Sequence, residues 1–495
     1  MKRYRPYAPE QPYLLPPSPS EWLPEGHLAK FVLGLVGELD LSLIEDAIQG
    51  KDARGERPYA PAMMTALLLY AYATGVFSSR KIEKATFDDL AFRFLSGNEH
   101  PHFTTINQFR ADHRAALAAL FQQLLEACMS AGLVKLGHVA IDGTKMKANA
   151  SKHKAMSHDR MVKDDAKLRA EVEELLARAE AVDAAEDAAE GAYDPQDEIR
   201  RREERIAKMA EAREALRRET AAKRARRFEE QAAELRKKAQ ESTTSPRDQK
   251  GFVTRADSLD REAAAMKPEP AESENRDDSD DDLPRNTPPS TKTGEPKPRA
   301  QRNFTDPQSR IMMRDGAFMQ AYNCQIAVDE EHQIIVAAAL SNQSPDTEYF
   351  EPMLRRVVEN CDAVPERVTA DSGYFSAANV SAACAMGCEP FIAVGGHRRD
   401  DRPVEESELR QFKTETHAAM RAVLETDRGR EAYARRKSTV EPVFGQVRTC
   451  QGYRQVSFRG LFKNRCEWLL VCATHNLLKL WRSVTAARAS LALAS

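Results

Sequence analysis

Residues 150–302 constrain the fold most, because their composition gives them little with which to build a core. From 150 to about 242 the chain is dominated by Ala, Glu and Arg. Residues 198–240 are strong helix formers with only weak apolar stripes, which predicts a solvated helical hairpin or short coiled coil. Residues 267–302 are Pro, Ser, Asp and Lys with almost no large apolar side chain. The run Asp277-Asp278-Ser279-Asp280-Asp281-Asp282 lies there, and an acidic cluster in a polar linker reads as disorder rather than as a metal site. The 151–302 segment is therefore read as a charged helical and disordered insertion, and any globular unit must be assembled from sequence on both sides of it.

Before the insertion, apolar residues recur at helical spacing over 28–43, 61–72 and 115–133. This predicts an all-helical domain over 1–135. Thr105 is a candidate cap for a helix carrying Asn107, Arg110, His113 and Arg114, and basic helix ends of this kind suit DNA as well as internal packing. From about Val134 the period changes, and 136–142 reads as a buried strand. After the insertion come a hairpin, 321–328 and 333–340 around the turn Glu330-Glu331-His332, then a helix over 347–360 and a strand over 367–370. A helix at 377–386, a strand at 390–394, a polar stretch to about 431, a helix after Glu441 and a long helix over 464–481 complete the chain. With the insertion removed, the order is strand, strand, strand, helix, strand, helix, strand, helix. This is the order of a ribonuclease-H-like α/β fold with a mixed sheet, here made from 136–150 and 303–485.

Three acidic residues sit at matching points of that frame. Asp142 and Asp371 each end an apolar strand-like run, and Glu441 opens a helix-like run. Asp, Asp, Glu in this order suits a magnesium site, since that ion prefers hard oxygen ligands and leaves positions for water and phosphate. Two such ions clamp the attacking and leaving oxygens of a phosphodiester. Each acid also has a structural reading: Asp142-Gly143 and Asp371-Ser372-Gly373 as turns, and Ser438-x-x-Glu441 as a capping box with Pro442 in the first turn.

Charge points the same way. Net charge is only −3, yet between Arg435 and Arg465 the bases are Arg435, Arg436, Lys437, Arg448, Arg454, Arg459, Lys463 and Arg465, with Glu441 the sole acid. Such a field suits an anionic partner. Lys437 and Arg448, four before and seven after Glu441, fall on its face of a regular helix and are candidate phosphate contacts. Lys145, Lys147, Arg436, Arg454, Arg110 and Arg114 complete the candidate DNA-binding set. His397, Arg398 and Arg399 are candidates for the site entrance, and Tyr433, Tyr453 and Phe458 for stacking on bases. The 8 cysteines are scattered without a CxxC pair, against a zinc site. The first residues, Met1-Lys2-Arg3-Tyr4-Arg5-Pro6-Tyr7, lack the apolar core of a signal peptide. No apolar run reaches membrane-spanning length. The expectation is a cytoplasmic protein with no membrane partner, nucleoid-associated when bound to DNA.

Several blocks in order resemble DDE transposases of bacterial insertion sequences, in particular the branch numbered eleven-eighty-two, with an N-terminal domain of the InsH type. The blocks are Ile141-Asp142-Gly143-Thr144-Lys145-Met146-Lys147, Asn303-Phe304-Thr305-Asp306-Pro307 with Gln320-Ala321-Tyr322-Asn323, Ala370-Asp371-Ser372-Gly373-Tyr374, and Arg436-Lys437-Ser438-Thr439-Val440-Glu441-Pro442-Val443-Phe444-Gly445. The related signature is Tyr, Arg, Glu, Lys spaced by two, three and six. Here Lys437 stands at the arginine position, Arg448 at the lysine position, and Tyr433 lies one residue too far upstream. The resemblance implies catalytic and metal-binding roles for Asp142, Asp371 and Glu441 with two Mg2+ ions, Mn2+ being a possible substitute. It also implies an N-terminal domain that binds terminal inverted repeats of double-stranded DNA, joining to target DNA, and a homodimer or larger assembly. Two alternatives stay open: a nuclease of the same fold that does not join strands, and a non-catalytic DNA-binding descendant.

Overall fold

A computed structural model describes residues 18–50, 57–183, 195–240, 246–266, 283–395 and 415–494. The expectations for the N-terminal Met1–Tyr7 stretch, for Asp277–Asp282 and for His397, Arg398 and Arg399 lie outside the described residues.

Eight strands are described. They are β1 (Val139–Lys147), β2 (Ala155–Ser157), β3 (Gln301–Asn303), β4 (Arg310–Arg314), β5 (Ala317–Asp329), β6 (Ile335–Ser341), β7 (Arg367–Ala370) and β8 (Glu389–Ile392). The main sheet runs β4-β5-β1-β7-β8, and β6 shares with β4 the outer edge of the long β5. β1 is antiparallel to β5 and parallel to β7, and β7 is parallel to β8. The expected strands and the helices between them are present in the expected order, except that the helix expected after Glu441 begins at Asp427 and ends at Gly445. β4 was not foreseen. It forms a hairpin with β5 through Asp315-Gly316, both at positive φ.

The N-terminal region is helical, as expected, from Pro19–Trp22 to Arg114–Ser130. It does not keep a core to itself. One hydrophobic cluster extends from Leu23 through Leu67, Phe121, Ile141 and Ile326 to Leu480. The C-terminal helix, Leu461–Ala494, makes this continuity: it packs on the helices Pro61–Ala73 and Arg114–Ser130 and on β6. Buried Glu467 is the polar hub of the junction. It accepts from Tyr72 Oη (3.0 Å), Tyr453 Oη (2.9 Å) and the Ser457 amide (2.8 Å), and it pairs with Arg110 at 3.4 Å.

The insertion is more ordered than its composition suggests. Helices His158–Asp183 and Pro246–Met266 both pack along the 46-residue helix Pro195–Gln240. Small apolar clusters hold them, Met161, Leu216 and Ala300 at one end and Ala232, Ala256 and Leu259 at the other. The chain leaves and re-enters through the β2–β3 pair, closed by the His158 amide on the Ala300 carbonyl at 2.7 Å. The expected disorder up to residue 302 is corrected for 283–302. Leu283 is buried in the main core, and the Asn286 amide donates to Asn342 Oδ1 at 2.9 Å. Further bonds hold the same stretch, from Ser341 Oγ to the Pro284 carbonyl and from Arg310 to the Asn286 carbonyl, so a polar segment is ordered by lying against the sheet.

Two local expectations also change. The helix Phe103–Asp112 is capped by His102, whose Nδ1 accepts from the Thr104 amide, so Thr105 lies inside it. From residue 415 onward the expected polar stretch before Glu441 is helical. Helix Glu415–Glu425 buries Met420 and Leu424 with Phe391 and Val394, and helix Asp427–Gly445 starts at a Thr426 cap.

Candidate active site

Asp142 and Asp371 are brought together by strand register. Val139 pairs with Val368 and Ala140 with Thr369, each 229 positions apart, and Asp142 and Asp371 have the same separation. Asp371 stands one residue past the end of β7, where that register carries it toward Asp142, close enough for its charge to act on that carboxyl. The long sequence gap between them is the pairing register of β1 and β7. Asp142 does not end its strand, as its sequence suggested. β1 runs five residues further because β5 pairs it as far as Lys147.

Burial dominates the Asp142 environment. It pushes the carboxyl up from the ordinary 3.8 to about 6, the nearby Arg436 charge lowers it, and Asp371 and Asp346 raise it. Arg436 Nη1 lies 3.2 Å from Asp142 Oδ2 and the side chain is 8% exposed. The guanidinium also lies over Tyr433, and its Nε is buried without a hydrogen-bond partner. An expected DNA contact thus sits inside the acidic site, on helix Asp427–Gly445, which packs across β1, β5, β7 and β8.

Asp346 escaped the sequence reading. It follows β6 in Ser344-Pro345-Asp346-Thr347, which reads as an ordinary turn before a helix. Its carboxylate accepts from Lys145 Nζ (3.0 and 3.1 Å), Asn323 Nδ2 (2.7 Å) and Gln325 Nε2 (2.8 Å). Asn323 and Gln325 lie opposite Lys145 and Gly143 in the β1–β5 ladder. Gln325 Oε1 in turn accepts from Tyr374 Oη, just past Asp371. This network ties both aspartate-bearing segments to β5. It also requires Gly143, because a Cβ there collides with Gln325 Nε2 and stands 3.0 Å from Asp346 Oδ1. Lys145, expected on phosphate, is only 13% exposed and is committed to Asp346.

Glu441 is exposed on the last turns of helix Asp427–Gly445. The expected helix start and Ser438 capping box are corrected. Ser438 Oγ donates back to the Arg435 carbonyl at 2.8 Å, and Pro442 is interior to the helix. Beyond Gly445 the chain widens into a π-helical turn, Gln446–Cys450, closed by the Gln451 amide on the Gln446 carbonyl. Regular helical phase is lost there, so the seven-residue spacing does not set where Arg448 lies. Arg448 is half-buried over Phe444, close enough to Asp142 and Arg314 for their charges to act on it, while burial lowers its pKa.

The remaining candidates divide by exposure. Lys437, Lys147 and Arg454 are exposed, and Arg114 is half-buried. Arg110 is withdrawn into the core: it is 5% exposed, paired with Glu467, and donates to the Phe77 carbonyl at 2.9 Å. Tyr453 is likewise buried, between Phe77 and Trp468, and Phe458 lies under Arg110. The Tyr453 ring is therefore not presented for stacking on bases, while Phe458 is partly exposed. Cys388 is buried and Cys384 exposed.

The donor set consists of hard carboxylate oxygens, which suit a divalent cation. As placed, no three possible ligands converge on one point among the described residues. Arg436 and Lys145 supply the positive charge at these acids. No described helix is long and apolar enough to cross a membrane.

Comparison with known families gives this arrangement a class. Two family models of transposase domains match separate parts of the chain, and together they support a DNA transposase in general. The Transposase DDE domain matches residues 290–477, which hold Asp346, Asp371 and Glu441. A second family, described as Transposase domain (DUF772), matches residues 17–112 in the helical region. The insertion separates β1 and Asp142 from the first match. No curated protein and no solved structure matched the chain.

Proposed function

We propose that the chain binds the terminal inverted repeats of an insertion sequence of the branch numbered eleven-eighty-two, cuts phosphodiester bonds there and joins the 3′ ends to target DNA. The observation that carries this reading is the approach of Asp142, on β1, and Asp371, just past the end of the parallel strand β7, close enough for one charge to act on the other. The strand order, third-second-first-fourth-fifth once β4 and the insertion are set aside, supports a ribonuclease-H-like unit. The transposase domain matches supply the class.

In this reading Asp142, Asp371 and Glu441 would hold two Mg2+ ions, with Mn2+ as a substitute, and the bound pair would supply Lewis-acid stabilisation of the attacking and leaving oxygens. The chain's own residues do the rest. Arg436 offsets part of the rise in proton affinity that burial imposes on Asp142. Asp346, Gln325 and Tyr374 fix the relative position of the two strand ends. Lys437, Lys147, Arg454 and Arg448, with Arg114 from the helical region, supply the charge that draws DNA across the site. A homodimer or larger assembly brings two element ends together.

The test uses the full chain, its own element ends, a pre-cut end and a target plasmid. Mg2+-dependent cutting and joining is expected, with loss of at least a hundredfold in Asp371→Asn. Hydrolysis without joining reduces the reading to a nuclease. Cutting unchanged in Asp371→Asn refutes the site.

A further inference from the structure

Pro442 should break the helix that carries Glu441. Proline has no amide hydrogen, so the carbonyl four residues back, that of Ser438, loses its helical partner. The helix nevertheless runs through to Gly445. The carbonyl is satisfied from outside, because Gln333 Nε2 donates to Ser438 O at 2.9 Å. Gln333 is on the turn between β5 and β6, at a positive φ of 57°.

Gln333 is itself gripped at both ends by the C-terminal helix. Lys479 Nζ donates to its Oε1 at 2.8 Å, and His475 Nε2 lies 3.0 Å from its backbone carbonyl. His475 and Lys479 are four apart and share one helix face. Burial holds the His475 imidazole down to about 4, so it stays neutral and donates to that carbonyl at working pH. A second contact registers the same turn on helix Asp427–Gly445: Glu330 pairs with Arg435 at 3.1 Å.

We infer that Gln333 is a positioning residue for Glu441: its amide takes the place of the hydrogen bond that Pro442 deletes and fixes the helical turn that presents the glutamate. The role of Glu441 rests on the proposed function, whereas the brace rests on the geometry alone.

Three variants of the full chain test this: Gln333→Ala, Pro442→Ala and the double variant. Pro442→Ala restores the amide, so the missing bond can form within the helix. The first readout is hydrogen–deuterium exchange of the amides in 438–445 without metal or DNA. Gln333→Ala should speed exchange there at least fivefold, and the double variant should return to within twofold of the parent. The second readout is cleavage of element ends. Gln333→Ala should lower kcat about tenfold with KM for DNA within twofold, Pro442→Ala alone should stay within twofold, and the double variant should recover most of kcat. Additive losses in the double variant, or unchanged exchange in Gln333→Ala, overturn the inference. Rescue of exchange in a parent that cuts no DNA sustains the brace and overturns the proposed function instead.

Discussion

Ion binding at the site should carry a proton signature that Asp142 dictates. Burial raises this carboxyl from 3.8 to about 6. The sign follows: the folded group holds its proton more tightly than the unfolded chain does, so ionising it costs the folded protein stability as pH rises from about 4 to 6. A divalent ion needs the ionised form, so its apparent affinity is full above pH 6 and is lost as pH falls below it. At pH 7 about 90% of Asp142 is ionised, and at pH 5 about 9%, which makes binding about tenfold weaker at pH 5, or about 1.4 kcal/mol. Correspondingly, binding should release about 0.1 proton at pH 7 and about 0.9 at pH 5. Titration calorimetry with Mn2+ or Mg2+ in two buffers of different ionisation enthalpy measures both quantities. Asp142→Asn should abolish the proton release and most of the binding. Equal affinity at the two pH values, or equal proton release, refutes the reasoning.

Two further outcomes follow from packing. Glu467→Gln leaves the buried Arg110 guanidinium without its counter-charge, so urea denaturation should show a loss of about 3–5 kcal/mol. A loss below about 1 kcal/mol contradicts the hub role. Gly143→Ala forces the buried Gln325 side chain away from partly exposed Asp346; a denaturation loss of about 1–3 kcal/mol is expected, together with weakened ion binding, and an unchanged protein shows that Gln325 yields freely.

The parts of the site that were legible in the sequence are those that local pattern encodes. Val139-Ala140-Ile141 and Val368-Thr369-Ala370 are short apolar strand runs; the first leads to Asp142 within β1 and the second to Asp371 just past the end of β7. What stayed hidden depends on partners far along the chain. Arg110 reads as a surface base because Glu467 is 357 positions away. Asp346 reads as a turn residue because Lys145 precedes it by 201 positions. The helix around Glu441 was misplaced for a different reason. Pro442 is a good first-turn residue and a poor interior one, and nothing nearby in sequence announces that Gln333 makes the interior position tolerable. The 283–302 segment was misjudged because composition measures whether a stretch can build a core, not whether it can lie on one.

The narrow neck of the insertion also bears on how the chain finds its fold. β1 must pair with β5, and Asp142 and Ile326 are 184 positions apart. The insertion is closed at its base by the bond between His158 and Ala300. If its three helices zip first, 142 of those positions drop out of the loop, and about 42 remain to be closed. Loop-closure entropy grows only logarithmically, so the saving is about 1.3 kcal/mol, close to a tenfold gain in the probability of the two strands meeting. A segment that contributes no strand to the main sheet thereby shortens the search that builds it.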